Sequence, residues 1–394
     1  LGKKLLISGG GRCNVTNNQP DNHLFLEKFP ESNKHLFAAF ARWNVQNTLD
    51  FFHTRNMPTK VENELRVFPV SNSSRSVWDV LQKYMDDGNV IIQKESPVDG
   101  FLHEESSITG VKLKNGKTLH AKSYILATGG NSHPETGSTG DGFSWLTEIG
   151  HNVVDIAPSL VPIALTDSWA KKLQGVSLQN IKLSLMSEPF DTAPTSAKAM
   201  AGEQGKQKHE TRTGNMLFTH FGVTGPAILN MSNSAGELLQ YGEVTILLDL
   251  LPNMQHKEID IALQEIYTTQ AKKRVKNIST TLLPAAVLKT ISELAGIDLE
   301  MPCNTISREQ RKALVQLLKA LPLHVSHLLG LDKAVITSGG VELSEVDFKT
   351  MQSKLYPNLY IVGDVLNINR PSGGYSLQLC WTTGFIAGDS VLYT

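Results

Sequence analysis

The sequence predicts an α/β protein with a discontinuous ligand-binding domain, interrupted by a β-rich second domain that carries a helical insertion. Three observations predict it. The chain closes on LYIVGDVLNINRPSGGYSLQLCWTTGFIAGDSV (359–391), where an apolar run stops at Gly363-Asp364 and, after a polar loop, Gly373-Gly374 opens a helical pattern. A second apolar run, 123–127, stops at Thr128-Gly129-Gly130. Between them, from Pro158, the texture changes to short strand-like runs and then to helical periodicity, before a strand pattern at 334–341 leads back to the terminal element.

The terminal stretch comes first because its chemistry is the most specific. In open parallel sheets, ligands bind at the carboxyl ends of strands, where backbone N–H groups and helix dipoles converge. A carboxylate there, Asp364, can accept hydrogen bonds from sugar or ribityl hydroxyls. The N–H groups that follow Gly374 can face an electron-rich ring or a phosphate. This arrangement suits a flavin nucleotide on a Rossmann-like sheet. Tyr375, Leu377, Cys380, Trp381 and Phe385 read as the apolar face of the helix, with Gly384 and Gly388 leaving room for a close approach to the sheet.

Taken in order, the chain begins with Leu5–Ile7 and then Ser8-Gly9-Gly10-Gly11-Arg12-Cys13-Asn14, a glycine loop that lets backbone approach a ligand, with donors at Arg12 and Asn14. A dinucleotide-binding unit ordinarily starts with a strand, a GxGxxG turn and a helix. That unit is expected upstream, and GSTGDG at 137–142 does not have its spacing. Apolar residues three and four apart predict helices over 33–54 and 73–85. Strands are expected at 90–93, 108–113 and 117–121, with Asn115-Gly116 as a hairpin turn. The polar loop after Gly130 reads as a lid or cofactor contact through Thr136, Ser138, Thr139 and Asp141, ahead of a helix over 142–149.

In the second part, strands are expected at 160–165, 181–186, 217–219 and 244–248, and 192–213 is small and polar enough to be an exposed, mobile loop. Pro226 falls in the first turn of a helix behind a glycine bend. Residues 252–329 read as helical, with Pro284 opening one helix that Gly296 closes, and Ser307 and Gln310 forming a capping box.

With 394 residues, 40% hydrophobic and 19% charged, the chain is long enough for two or three domains. A net charge of −1 argues against a general affinity for nucleic acid or anionic membrane, and Lys272, Lys273, Arg274 and Lys276 read as a solvated basic face. The three cysteines, Cys13, Cys303 and Cys380, are far apart and suggest neither a disulfide framework nor a metal site. No signal sequence or apolar run of about 18 residues is visible, so the expected location is cytoplasmic.

The motifs GKKLLISGGGRCNVTN (2–17), RVFP (66–69), ATGGNSHPETGSTGDG (127–142), FTHFGVTGPAIL (218–229), TSGGVELSEV (337–346), TMQSK (350–354) and the terminal GDV with SGGYSLQ run from end to end. Together they resemble the aminoacetone oxidase-like, or BaiN/RdsA-type, NAD(P)/FAD-dependent oxidoreductases of bacteria. The resemblance implies three parts: an FAD domain over 1–157 and 348–394, a β-rich substrate domain over 158–252 and 326–347, and a helical insertion over 253–325. It implies FAD contacts at Ser8, Gly9, Gly10, Gly11, Arg12, Cys13 and Asn14, at Thr128, Gly129 and Gly130, at Gly363 and Asp364, and at Gly373, Gly374, Tyr375, Ser376 and Leu377. It also implies that the upstream unit holds the GxGxxG turn. Where relatives commonly have GEVLD and a glycine-containing loop, this chain has Gly363-Asp364-Val365-Leu366-Asn367 and then Arg370, which alters the charge beside the flavin.

The function expected is hydride transfer between FAD and a small organic substrate, first an aminoacetone-like amine oxidised with oxygen. The alternative is reduction of an enone or alkene with NAD(P)H as electron donor. A reading from another class is a flavin-binding protein that acts on RNA or a protein partner. His133, His220 and Tyr375 are the candidate catalytic groups, and no metal is expected.

Overall fold

The structure, a computed structural model, describes residues 1–188, 200–201, 207–278 and 280–392. The chain forms two compact units, Leu1–Ser159 with Leu331–Thr394, and Leu160–Gly330. The protein is thus α/β, with a discontinuous first unit and a sheet-rich second one.

The first unit is built around a four-stranded sheet in the order Val346–Asp347, Gln352–Ser353, Leu359–Ile361, Tyr124–Leu126. The last two strands are parallel, with Leu359 opposite Tyr124 and Ile361 opposite Leu126. All three residues of Leu359–Ile361 are buried, as an apolar run covered on both faces should be. Phe25, Phe29, Phe40, Leu146, Leu379 and Ile386 close over this sheet in one core. The expected helix over 33–54 is two, Asn33–Arg42 and Val45–His53, because Asn44 leaves helical geometry and caps the second through a reciprocal pair with Asn47. Residues 331–347, expected in the second domain, belong to this unit, and Ile336–Val341 pairs antiparallel with Val153–Ser159.

Some local expectations change. Residues 90–93 form no strand: Ile91 is 87% exposed and the run pairs with nothing among the described residues. Ser107–Leu113 pairs with Thr118–Leu119 across the expected turn at Asn115-Gly116, and on its other side with Val98–Glu104, a strand the sequence did not predict. The sequence hid that strand because its glycine and charged residues break the alternation.

In the second unit, Ser177–Ser187 pairs with both Val244–Asp249 and Gln207–Phe218, so six antiparallel strands close into a ring. The helix Pro226–Leu239 packs against every strand of that ring, burying Ile228, Met231, Ala235 and Leu238. Gly225 makes its start possible: with φ 104°, it lies where a Cβ would meet the Asn215 carbonyl oxygen at 2.9 Å. Pro226 then takes the first helical position, where a missing N–H costs nothing.

The helices His256–Thr269, Ala285–Leu294 and Arg308–Lys319 share the core of the ring through Leu263, Ile291 and Leu314. Ser307 and Gln310 form the expected capping box. Leu321–Leu328, expected as helix, is a strand of the ring, and its buried Leu321, Leu323 and Val325 show the two-residue period. Residues 207–213, expected in a loop, also lie in a strand, whereas 192–199 and 202–206 fall outside the described residues. No helix among the described residues is long and apolar enough to cross a membrane.

Candidate functional site

The in-register parallel pair brings both glycine turns to the same sheet edge. Val362 N–H donates to the Leu126 carbonyl (3.1 Å), carrying the ladder to the point where each strand stops. Gly363 N–H then donates to Thr383 Oγ1 of the terminal helix (3.1 Å). Across the edge, a Cβ on Gly130 would lie 2.4 Å from Thr337 Oγ1 and 3.5 Å from the Asp364 carbonyl oxygen, so Thr128–Gly130 and Gly363-Asp364 are neighbours.

The terminal helix, Tyr375–Val391, starts at the same place without a side-chain cap. Its N-cap Gly374 has φ 100°, and a Cβ there would lie 2.3 Å from the Thr16 carbonyl carbon, so only glycine fits. Asn17 Nδ2 fixes the turn by donating to the Gly373 carbonyl (3.1 Å) and the Glu64 carbonyl (2.9 Å). The buried face of the helix differs from the expected one. It carries Tyr375, Leu379, Ile386 and Ala387 together with Gln378, Thr382 and Thr383, while Phe385 is exposed and a Cβ at Gly384 or Gly388 would meet nothing within 4 Å.

The glycine loop belongs to the first unit as well. Lys3–Gly11 is a helical segment kinked at Ser8–Gly10, with Ser8 extended and Gly9 and Gly10 left-handed (φ 56° and 67°). Asn14 Oδ1 accepts from Val67 N–H (3.2 Å), so Asn14 anchors the loop to the RVFP strand. Arg12 is held by the fold: its Nη2 lies 2.5 Å from Glu62 Oε1 and 2.9 Å from Asn72 Oδ1, and its guanidinium lies over Phe68. Cys13 is fully buried, and burial pushes its thiol up to about 11, which makes it a packing residue and not a nucleophile.

Charges converge on Asp364. Arg370 Nη1 lies 3.1 Å from Asp364 Oδ1, with the arginine side chain fully buried and the aspartate 15% exposed. The Ser376 hydroxyl and the Cys380 thiol lie 3.5 and 3.7 Å from the same oxygen. Burial pushes the Cys380 thiol well above its ordinary range, and the Asp364 charge adds to this. Lys4 Nζ donates to the Ser132 carbonyl (2.6 Å) and to Ser132 Oγ (3.0 Å). Burial lowers its pKa against the opposing pull of Asp364, Cys380 and Glu135.

The candidate catalytic residues do not form one cluster. His133 is a left-handed residue (φ 49°) whose Nδ1 lies 2.9 Å from Glu135 Oε1. His220 belongs to the other unit, where it is exposed and set edge-on to Phe221. Tyr375 is buried against Phe25 and Phe29, and burial raises its pKa. Leu377 packs with the Cys13 and Phe52 cluster. Lys4, Ser132 and Thr337 were missed in the sequence. A lysine beside another lysine reads as solvated, and their partners lie more than a hundred residues away.

The residues at this edge fit a flavin. An uncapped terminus of a 17-residue helix, a cradle that a Cβ would fill, a carboxylate and a buried guanidinium surround one strand edge. Site and fold together define an FAD-dependent oxidoreductase built on a Rossmann-like domain. The chain belongs to the HI0933-like family, whose Rossmann-domain model matches residues 1–390.

Among curated relatives, the 3-dehydro-bile acid delta(4,6)-reductase of Clostridium scindens is 27% identical, covering 98% of this chain and 89% of that protein. The ribosomal RNA dihydrouridine synthase of Escherichia coli is 26% identical, over 99% and 89%. The Haemophilus influenzae protein of that name is 27% identical, over 99% and 90%. Among solved structures, a variant of the E. coli quinol fumarate reductase FrdA is similar with a TM-score of 0.48 at 14% identity. That likeness covers 99% of this chain, which spans 63% of the FrdA chain.

Proposed function

We propose that the protein reduces a carbon–carbon double bond conjugated to a carbonyl, using FAD with NAD(P)H as electron donor. The observation that carries the placement is the in-register parallel pair, which sets Gly130, Asp364 and the start of the terminal helix at one sheet edge. When bound, FAD supplies the hydride chemistry, and the protein supplies orientation and electrostatics. The first N–H groups of the terminal helix favour negative charge on a ring edge by about 1 kcal/mol. Asp364 offers an acceptor to ribityl hydroxyls. Lys4, held by Ser132 and with its pKa lowered by burial against the pull of the Asp364 charge, is a further proposed proton donor. Ser8–Asn14, Thr128–Gly130 and Gly373–Leu377 complete the proposed flavin contacts, and His133, His220 and Tyr375 remain proposed catalytic groups.

The names of the relatives support this substrate class over amine oxidation: one is a reductase of a keto compound with ring double bonds, and two make dihydrouridine. Those two also support a second reading, the same chemistry on a pyrimidine of ribosomal RNA. A net charge of −1 leaves that reading without a broad basic footprint. The test is oxygen-free NAD(P)H consumption with cyclohex-2-en-1-one, matched by formation of the saturated ketone. Peroxide from aminoacetone in air, with no enone turnover, would reverse the choice. RNA-dependent NAD(P)H oxidation that weakens with salt would favour the second reading.

A further inference from the structure

The guanidinium of Arg370 is buried with three nitrogens unsatisfied, a state no other side chain of the first unit shares among the described residues. Its side chain is fully buried, yet Nε, Nη1 and Nη2 have no hydrogen-bond partner among the described residues. Its one charge partner, Asp364 Oδ1 at 3.1 Å from Nη1, is also approached by Ser376 and Cys380. Asp364 neutralises the charge without meeting the directional needs of a five-donor fork. Leaving such donors unpaired inside a protein is strongly unfavourable, and a bound acceptor would relieve it.

The loop that carries Arg370 is held on both sides. Asn367 N–H donates to the Val341 carbonyl (3.1 Å), and Asn369 accepts from Ser338 Oγ (2.7 Å) and donates to Glu31 (3.2 Å). The guanidinium is therefore positioned in advance. Through Asp364 and Ser376 it reaches the first turn of the uncapped terminal helix, so two independent sources of positive potential share one place.

We propose that Arg370 is a ligand-binding residue that receives a carbonyl oxygen on the edge of a planar conjugated ring, an oxygen that gains negative charge when the ring system is reduced. This rests on the flavin-reductase reading above. Two sources share the chemistry: the pyrimidine edge of the flavin and the carbonyl of an enone substrate.

The test uses Arg370→Gln and Arg370→Lys in the holoenzyme, with FAD affinity, the flavin midpoint potential and cyclohex-2-en-1-one affinity as readouts, the last from perturbation of the flavin's visible band. Loss of a hydrogen bond to a charged donor is worth about a tenfold or greater change in affinity. Arg370→Gln weakens FAD about tenfold or more and lowers the potential if the flavin is the source. It leaves FAD bound and weakens the enone by a similar factor if the substrate is the source. Arg370→Lys, which keeps the counter-charge for Asp364 but loses the fork, falls between wild type and Arg370→Gln, and serves alone if the glutamine variant does not fold. Wild-type FAD affinity, potential and enone affinity in the variants, whatever their thermal stability, would leave Arg370 as the counterion of Asp364 only and overturn the proposal. If the wild type neither binds nor reduces the enone, the substrate reading fails, and Arg370 is judged on FAD affinity and potential alone.

Discussion

At the scale of single residues, burial decides which groups are chemically available. Cys13 and Cys303 are buried and burial raises both thiols, so iodoacetamide should label neither in the native protein at pH 8 and both after unfolding in urea, as mass spectrometry would read. Labelling of Cys13 in the native state would show that the glycine loop opens. In the second unit, the Arg311 guanidinium, 2.6 Å from Asp260, holds that carboxyl below its ordinary range. A depressed carboxylate contributes stability that is present above its unfolded pKa and lost as pH falls through the folded one. Arg311→Met should therefore cost about 0.5–1 kcal/mol at pH 7 and progressively less as the pH falls below the ordinary carboxylate range and through the lowered pKa of Asp260, measured by urea denaturation. An equal cost across that range would assign the effect to lost packing.

At the scale of elements, the terminal helix shows what a sequence reveals and what it hides. Its start was legible, because Gly373-Gly374 after a polar loop has a local reason in backbone geometry. Its buried face was not, because Gln378, Thr382 and Thr383 are polar. Gln378 is fully buried: its Oε1 accepts from Thr16 Oγ1 (2.7 Å), and its Nε2 donates to Thr48 Oγ1 (3.0 Å) and Thr382 Oγ1 (3.1 Å). An apolar pattern cannot register a face built on hydrogen bonds to strands and helices hundreds of residues away. Gln378→Leu should cost about 1–2 kcal/mol by taking the 2.7 Å acceptor from the buried Thr16 hydroxyl, whereas Thr48 keeps its bonds to Trp43 and Asn44, and the cost is seen in the midpoint of chemical denaturation. The strand Leu321–Leu328 failed differently: its two-residue period was present but followed three helices, and the helical texture was extended through it.

At the scale of the whole molecule, the discontinuous first unit was legible because glycine-ended strands recur at both ends of the chain. The boundary near 331–347 was not, since only pairing with Val153–Ser159 shows where that strand goes. Asp364 and the glycines of the site could be read locally. Lys4 and the unpaired state of Arg370 could not, because both depend on burial by distant segments. In the second unit, the helix inside the ring carries much of the core, so Ile228→Ala should cost about 3 kcal/mol. A cost under ~1 kcal/mol, read by urea denaturation, would mean that the ring does not close around the helix.

The central claim is that the flavin sits where the two parallel strands end and the terminal helix begins. It is tested most directly by visible absorption spectra of the purified wild-type protein and of Gly373→Val, each after incubation with FAD and desalting, with thermal unfolding as the control for folding. Gly373 has φ 111°, and a Cβ there would already touch the Tyr375 ring at 3.5 Å, so a branched side chain strains the turn and crowds the start of the terminal helix. The result expected is a flavin spectrum in the wild type that is strongly reduced in a folded Gly373→Val protein. Equal flavin content in both would contradict the placement, and no flavin in the wild type after incubation with FAD would contradict the account as a whole.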